Sequence, residues 1–198
     1  MNLEALQKNL EERGFTYLYF PTAQEAADYL VDTLHGKTIG MGGSMTLEAL
    51  GIYERLQADN QVAWHAKVPG PETLAQAAAA QVYLSSVNGI AETGELINID
   101  GTGNRISAAT SAKEAVYYIA GVNKVAETFD KALWRARNVA SPLNARRLGR
   151  KTPCALKELK CYDCKSPERI CRELNVLWRK LNGTENCYVV LIGEEIGY

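Results

Sequence analysis

Three stretches of this chain share one construction: a short apolar run, a turn of glycine with small polar residues, then a helix-forming segment. The first runs from Lys37 to Leu50 as Lys-Thr-Ile-Gly-Met-Gly-Gly-Ser-Met-Thr-Leu-Glu-Ala-Leu. The second is Gly101-Thr102-Gly103-Asn104-Arg105, leading into Ile106 to Ala112, and the third is Gly121-Val122-Asn123-Lys124 after the apolar Ala115 to Ala120. A strand that turns through glycine into a helix is half of a βαβ unit. Its repetition commits the chain to an α/β fold, a mostly parallel sheet with helices on both faces. In such sheets ligands bind beyond the carboxyl ends of the strands, where these turns lie.

The remaining elements agree with that fold class. Leu3, Leu6 and Leu10 form one face of a first helix that ends at Gly14, and Phe15 to Phe20 is strand-like up to Pro21. Ala23, Ala26, Ala27, Leu30, Val31 and Leu34 follow helical spacing. Short strands are expected at Thr38 to Met41, Gln61 to His65 and Val82 to Ser86, with helices over Leu47 to Leu56 and Glu72 to Ala80. Asn88 to Asp100 reads as a hairpin around Glu92-Thr93-Gly94-Glu95. A long helix follows Lys124, burying Val125, Phe129, Ala132, Leu133, Ala136, Val139 and Ala140, and Pro142 is expected to break it. At the end, Leu174 to Leu181 and Cys187 to Ile192 read as a C-terminal hairpin joined at Asn182-Gly183. The polar tail, Gly193 to Tyr198, is expected near the pocket. At 198 residues the chain is read as a single domain, 1–198.

The candidate site residues come from the glycine turns. Gly40, Gly42 and Gly43 let the backbone approach a ligand closely; Ser44 or Thr46 can cap the next helix, and Met45 lies between them. The opposing reading is a tight turn that uses glycine only for packing. Asp100, Gly103, Asn104 and Arg105 form the second wall. Arg105 offers a planar fork of donors for a carboxylate or phosphate, or else a surface ion pair, and Asp100 and Asn104 can simply satisfy turn backbone. Asn123 and Lys124 form the third. Lys124 at a helix start sits badly with the helix dipole, which favours contact with an anion. Glu92 is the one candidate for chemistry, as base or carboxylate nucleophile, against a solvated turn carboxylate. The expected ligand is a small anionic metabolite, and no nucleotide cofactor is evident.

Charge and apolar patterning exclude other classes. A formal net charge of -1 argues against a protein built to bind nucleic acid. The six basic residues from Arg135 to Lys151 lack interleaved stacking aromatics, so they read as a solvated face partly neutralising an anionic ligand or an acidic partner. No apolar run approaches the roughly 20 residues that cross a bilayer, and the amphipathic N-terminus lacks a secretory core. Cytoplasm is the expected compartment.

Reduced cysteines in that compartment point to metal or redox chemistry. Cys154, Cys161, Cys164 and Cys171 follow C-x6-C-x2-C-x6-C. Four thiolates so spaced suit a tetrahedral site, zinc or an iron–sulfur cluster by ligand type, in a small insertion at 152–172 set apart from the glycine turns. A redox pair at Cys161 and Cys164, or unconnected loop thiols, is the alternative. Zinc there would be structural, since four protein ligands leave no open position. Cys187, alone in an apolar strand, reads as a core residue.

Together, Gly-Met-Gly-Gly-Ser-Met-Thr-Leu, Asn-Ile-Asp-Gly-Thr-Gly-Asn-Arg, Gly-Val-Asn-Lys-Val and the closing Ile-Gly-Glu-Glu-Ile-Gly-Tyr resemble the LUD-domain proteins, lactate-utilization proteins of the LutC/YkgG type, from about residue 5 onward. The resemblance implies a fold similar to the glucosamine-phosphate deaminase, ribose-phosphate isomerase and CoA-transferase superfamily. There the early glycine loop cradles phosphate or acyl-CoA, a role that Gly40 to Thr46 match by position, and Glu92 is placed similarly to superfamily carboxylates. It also implies a part in oxidising lactate to pyruvate, with other lactate-utilization subunits as partners. The cysteine segment departs from the plain family pattern and suggests a standalone subgroup. Against an enzyme or enzyme subunit stands a non-catalytic, metal-stabilised module, and self-association stays open.

Overall fold

The computed structural model describes residues 1–198. Helix α1 (Leu3–Glu12) is capped by the Asn2 side chain, which accepts from the Ala5 N–H, and it buries Leu6 and Leu10. Strand β1 (Thr16–Phe20) follows, then α2 (Ala23–Thr33), β2 (Thr38–Met41), α3 (Met45–Leu50), α4 (Tyr53–Leu56), β3 (Gln61–Trp64), α5 (Pro71–Ala79) and β4 (Val82–Ser85). A hairpin of β5 (Gly89–Ala91) and β6 (Leu96–Asp100) interrupts the alternation before α6 (Asn104–Thr110) and the nine-residue β7 (Lys113–Gly121). The chain then makes a 3-10 turn at Val122–Lys124 and a short β8 (Val125–Ala126). Helices α7 (Phe129–Arg135), α8 (Ser141–Arg147) and α9 (Pro153–Leu156) precede β9 (Glu173–Leu177) and β10 (Thr184–Ile192).

Six strands form the main sheet in the order β1-β10-β7-β4-β2-β3, and every pairing is parallel. Its two faces are read directly from residue alternation. Ile39, Met41, Leu84, Tyr117, Ile119, Val190 and Ile192 pack against α2, α3 and α4. Tyr83, Val116, Tyr118, Ala120, Val189 and Leu191 pack against α1, α5 and α6. From β2 the chain winds outward to β3, while from β4 it winds the other way through β7 to β10. The strand order therefore reverses between β2 and β4, the place where open α/β sheets accept ligands.

A second sheet, β8-β5-β6-β9, is packed by α7 through Ala91, Ile97, Ala132 and Ala136. It corrects the expected C-terminal hairpin. β9 pairs antiparallel with β6 in this small sheet, whereas β10 enters the main sheet between β1 and β7. Burial explains the split: Val189 to Ile192 are fully buried and need cover on both faces, while β9 leaves Glu173 and Leu174 exposed, as an edge strand can.

Pro142 does not break its helix either. Ala136–Ala140 form a π turn, and the Ser141 hydroxyl donates to the Ala136 carbonyl at 2.9 Å, so the hydrogen-bond register has already shifted where proline lacks its N–H. The helical run begins at Phe129, and Val125 lies in β8 rather than on its stripe. No helix is long and apolar enough to cross a membrane.

Candidate functional site

A cleft of about 830 Å³ opens at the carboxyl ends of the parallel strands. The residue or turn just after each strand supplies its floor: Gly43 and Ser44 after β2, His65 after β3, Ser86 after β4 and Lys124 after β7. Asp100, Thr102, Asn104 and Arg105 form a second wall, and Asn144, Arg147 and Arg150 from α8 and its exit form a third.

The two carboxylates of the cleft are already committed. Glu48 accepts from Lys67 Nζ at 2.7 Å. One oxygen of Asp100 takes the N–H groups of Gly101, Thr102 and Gly103, while the other lies 3.4 Å from Arg105 Nε. Arg105 is committed as well. Its Nη1 donates to Ser86 O and Asn98 Oδ1, and Nη2 donates to Asn88 Oδ1 and Ile99 O. The expected ligand clamp is thus a strut that ties the small sheet to the end of β4, with its donors spent on protein. Gly42 makes room for it, since a Cβ there would sit 2.9 Å from Arg105 Cγ.

Lys124 is placed differently. It is 3% exposed, and its Nζ donates to Thr46 Oγ1 at 2.8 Å and Ser86 Oγ at 2.9 Å, with no acidic partner. Burial, reinforced by the Arg135 and Arg105 guanidiniums, lowers its ammonium to about 7. Arg135 holds the turn that carries it, donating from Nε to Asn123 O and from Nη1 to Asn88 O, both at 2.7 Å. Arg147 donates to the Asn144 amide oxygen and lies beside the Tyr198 hydroxyl, and it too forms no ion pair with a side-chain carboxylate.

Several expected site residues take other roles. Gly40 lies inside β2, where a Cβ would strike the Ala77 carbonyl of α5. Asn123 donates to Gly197 O and accepts from the Ile196 N–H, so it clamps the tail rather than the cleft. The tail does reach the pocket: Ile196 O accepts from Thr46 Oγ1, and Tyr198 lines the wall. Gly103 starts α6 in the left-handed region at φ +81 and does not line the cleft. Ser44 caps α3 by accepting from the Leu47 N–H, but α3 has only six residues, so its dipole is slight. Glu92 is remote from the cleft: Oε1 accepts from Asn2 N at 2.9 Å and lies 3.5 Å from the N-terminal ammonium, tying down α1. Sequence reasoning missed His65, Ser86 and Asn144. Their signal is position after a strand for the first two; Asn144 had none.

The thiols form a second feature. Cys154, Cys161, Cys164 and Cys171 all line one small void of about 20 Å³, room for little more than one water-sized atom. Cys161 Sγ accepts from the Asp163 N–H at 3.4 Å and from Arg137 Nη2 at 3.5 Å, donors suited to a thiolate. Asp163 takes φ 43, and Arg169 ties Cys164 O to Cys171 O. No three His, Cys, Asp or Glu side chains are gathered as a ligand set for one ion. The donor chemistry suits a metal, yet the thiols would have to close inward upon it. This segment is not apart from the cleft, because Ser141 and Ile170 wall both cavities. Cys187 lies in the core, where burial pushes its thiol up to about 12.

The LUD domain family model matches residues 3–192. The chain therefore belongs to the LUD-domain family. The crystal structure of a DUF162 family protein from Deinococcus radiodurans is similar in fold, with a TM-score of 0.56 over 96% of each chain at 13% sequence identity. No curated protein matches the chain.

Proposed function

We propose that the protein binds a small carboxylate metabolite of the lactate class in the strand-end cleft, as a component of hydroxy-acid oxidation. One observation carries this reading: the cleft has a surplus of uncompensated positive charge. Glu48 and Asp100 are neutralised by Lys67 and Arg105, whereas Arg147 and Arg150 line the same space without acidic partners and carry the surplus, beside a Lys124 whose charge is only partial near pH 7. Arg147 and Arg150 are exposed on the cleft wall and Lys124 is buried in its floor, and cations gathered on one concave surface favour an anion from outside. The position at the reversal of strand order supports the same reading, and the lactate-utilization family supplies the hydroxy-acid class.

Thermal shift with a panel of lactate, pyruvate, inorganic phosphate and neutral lactamide tests it. The monocarboxylates are expected to stabilise the protein and lactamide is not. If no carboxylate raises the melting temperature at millimolar concentration, the reading fails.

A second reading rests on the thiol void: a metal-stabilised segment walling the cleft. Cys154, Cys161, Cys164 and Cys171 would hold the metal. Zinc would supply only a cross-link, whereas an iron–sulfur cluster would supply one-electron chemistry. Metal analysis and the absorbance of protein purified without oxygen distinguish the two. Metal-free protein with unchanged stability would remove both.

A further inference from the structure

We propose that Lys124 is a nucleophile that captures the carbonyl of a small 2-oxo acid as an imine, so that the cleft takes the oxo-acid partner of a hydroxy acid. The inference rests on the anion-binding reading of the cleft and adds a covalent step to it.

Its basis is the placement of Nζ. A buried ammonium ordinarily has a carboxylate beside it, because desolvated charge is costly. Lys124 has two hydroxyls instead, Thr46 Oγ1 and Ser86 Oγ. The titratable groups that act on it are Arg135 from α7 and Arg105 from α6, both cationic. The two acids of the cleft are engaged elsewhere, Asp100 by Arg105 and three backbone N–H groups and Glu48 by Lys67. A lysine desolvated beside other cations is the setting in which an amine is kept neutral and nucleophilic near pH 7. The two hydroxyls direct their own protons to Ile196 O and Val87 O, so Lys124 Nζ donates to their oxygens and the lone pair of the neutral amine has no hydrogen-bond donor on it.

The step balances without an oxidant. The Nζ lone pair forms a C–N bond to the carbonyl carbon, and the carbonyl oxygen takes a proton to give a carbinolamine. The C–O bond then breaks and the oxygen leaves as water, the second amine proton being lost as C=N forms. Ser86, which lines the cleft and lies 3.2 Å from Thr46 Oγ1, provides a hydroxyl pair to pass those protons. Arg147, on the α8 wall of the same cleft, is the carboxylate anchor of this proposal.

The test treats the full chain with pyruvate and sodium cyanoborohydride, then maps peptides by mass. A reduced pyruvate imine concentrated on Lys124, formed several-fold faster at pH 8 than at pH 6, is the expected result. Lys124→Arg is expected to abolish that adduct, and thermal shift with pyruvate alone reports binding separately. Stabilisation by pyruvate with no adduct on Lys124, or labelling spread equally over exposed lysines, overturns the imine and leaves the anion site standing. Neither stabilisation nor adduct overturns both. Because wild-type mapping already decides the matter, misfolding of the variant would not obscure it.

Discussion

The cleft and the thiol void share a wall at Ser141 and Ile170, yet they are built in opposite ways. The cleft is assembled from the carboxyl ends of strands that are buried where they reach it, so its geometry comes with the core. The void has α8 on one side, but three of its four thiols lie in the chain without regular structure between α9 and β9, which is held by side-chain donors such as Arg146 to Ala155 O and Arg169 to Cys171 O. The contrast teaches that one site is preorganised by packing, whereas the other depends on local bonds and on whatever its thiols hold.

The largest expected effect breaks the first half of that contrast. Arg105→Met strips partners from Asn88, Asn98, Ile99, Ser86 and Asp100, leaving a half-buried carboxylate without its cation; a loss on the order of 3–5 kcal/mol is expected in denaturant unfolding. A loss below about 1 kcal/mol would mean that the strut is ornamental.

Next in size is the pH dependence from Lys124. Its pKa falls from 10.5 to about 7 on folding, so the unfolded chain binds the extra proton between those values and stability rises with pH across that window. Unfolding of the wild type compared with Lys124→Met is expected to show a steeper rise from pH 7 to 10, by a few kcal/mol. Parallel curves would place Lys124 in a solvated setting.

Much of this was legible in the chain. The βα turns announce the parallel sheet, and Asp100, Asn104 and Lys124 line one cleft because polar residues after neighbouring strands converge. What could not be read was long-range commitment. Nothing local to Gly-Thr-Gly-Asn-Arg says that Arg105 reaches Ser86 and Asn88, or that Gly42 is small to admit it. β10 also looked like half of a hairpin because Asn182-Gly183 is a good turn, and only its two-sided burial places it beside β7. Pro142 misled for the same reason: the π turn that accommodates it is set by the packing of Ala136 and Ala140.

Smaller effects sharpen the comparison. Gly197 has φ +65, and a Cβ there would press on Thr46 Oγ1 and come within 3.3 Å of Lys124 Nζ. Gly197→Ala is expected to cost about 1–2 kcal/mol and to weaken carboxylate binding, without touching the thiols. In the native protein, thiol labelling should reach Cys154, Cys161, Cys164 and Cys171 while sparing buried Cys187 until unfolding. Metal in the void would slow the first four until a chelator is added, and cleft binding would persist.

The surplus of positive charge is the claim on which the account turns, and calorimetric titration tests it most directly. Wild-type protein and the Arg147→Ala, Arg150→Ala double variant, titrated with pyruvate in parallel, are expected to differ by about tenfold or more in affinity, with the difference shrinking as salt rises. Equal affinity in the two, unaffected by salt, would contradict it.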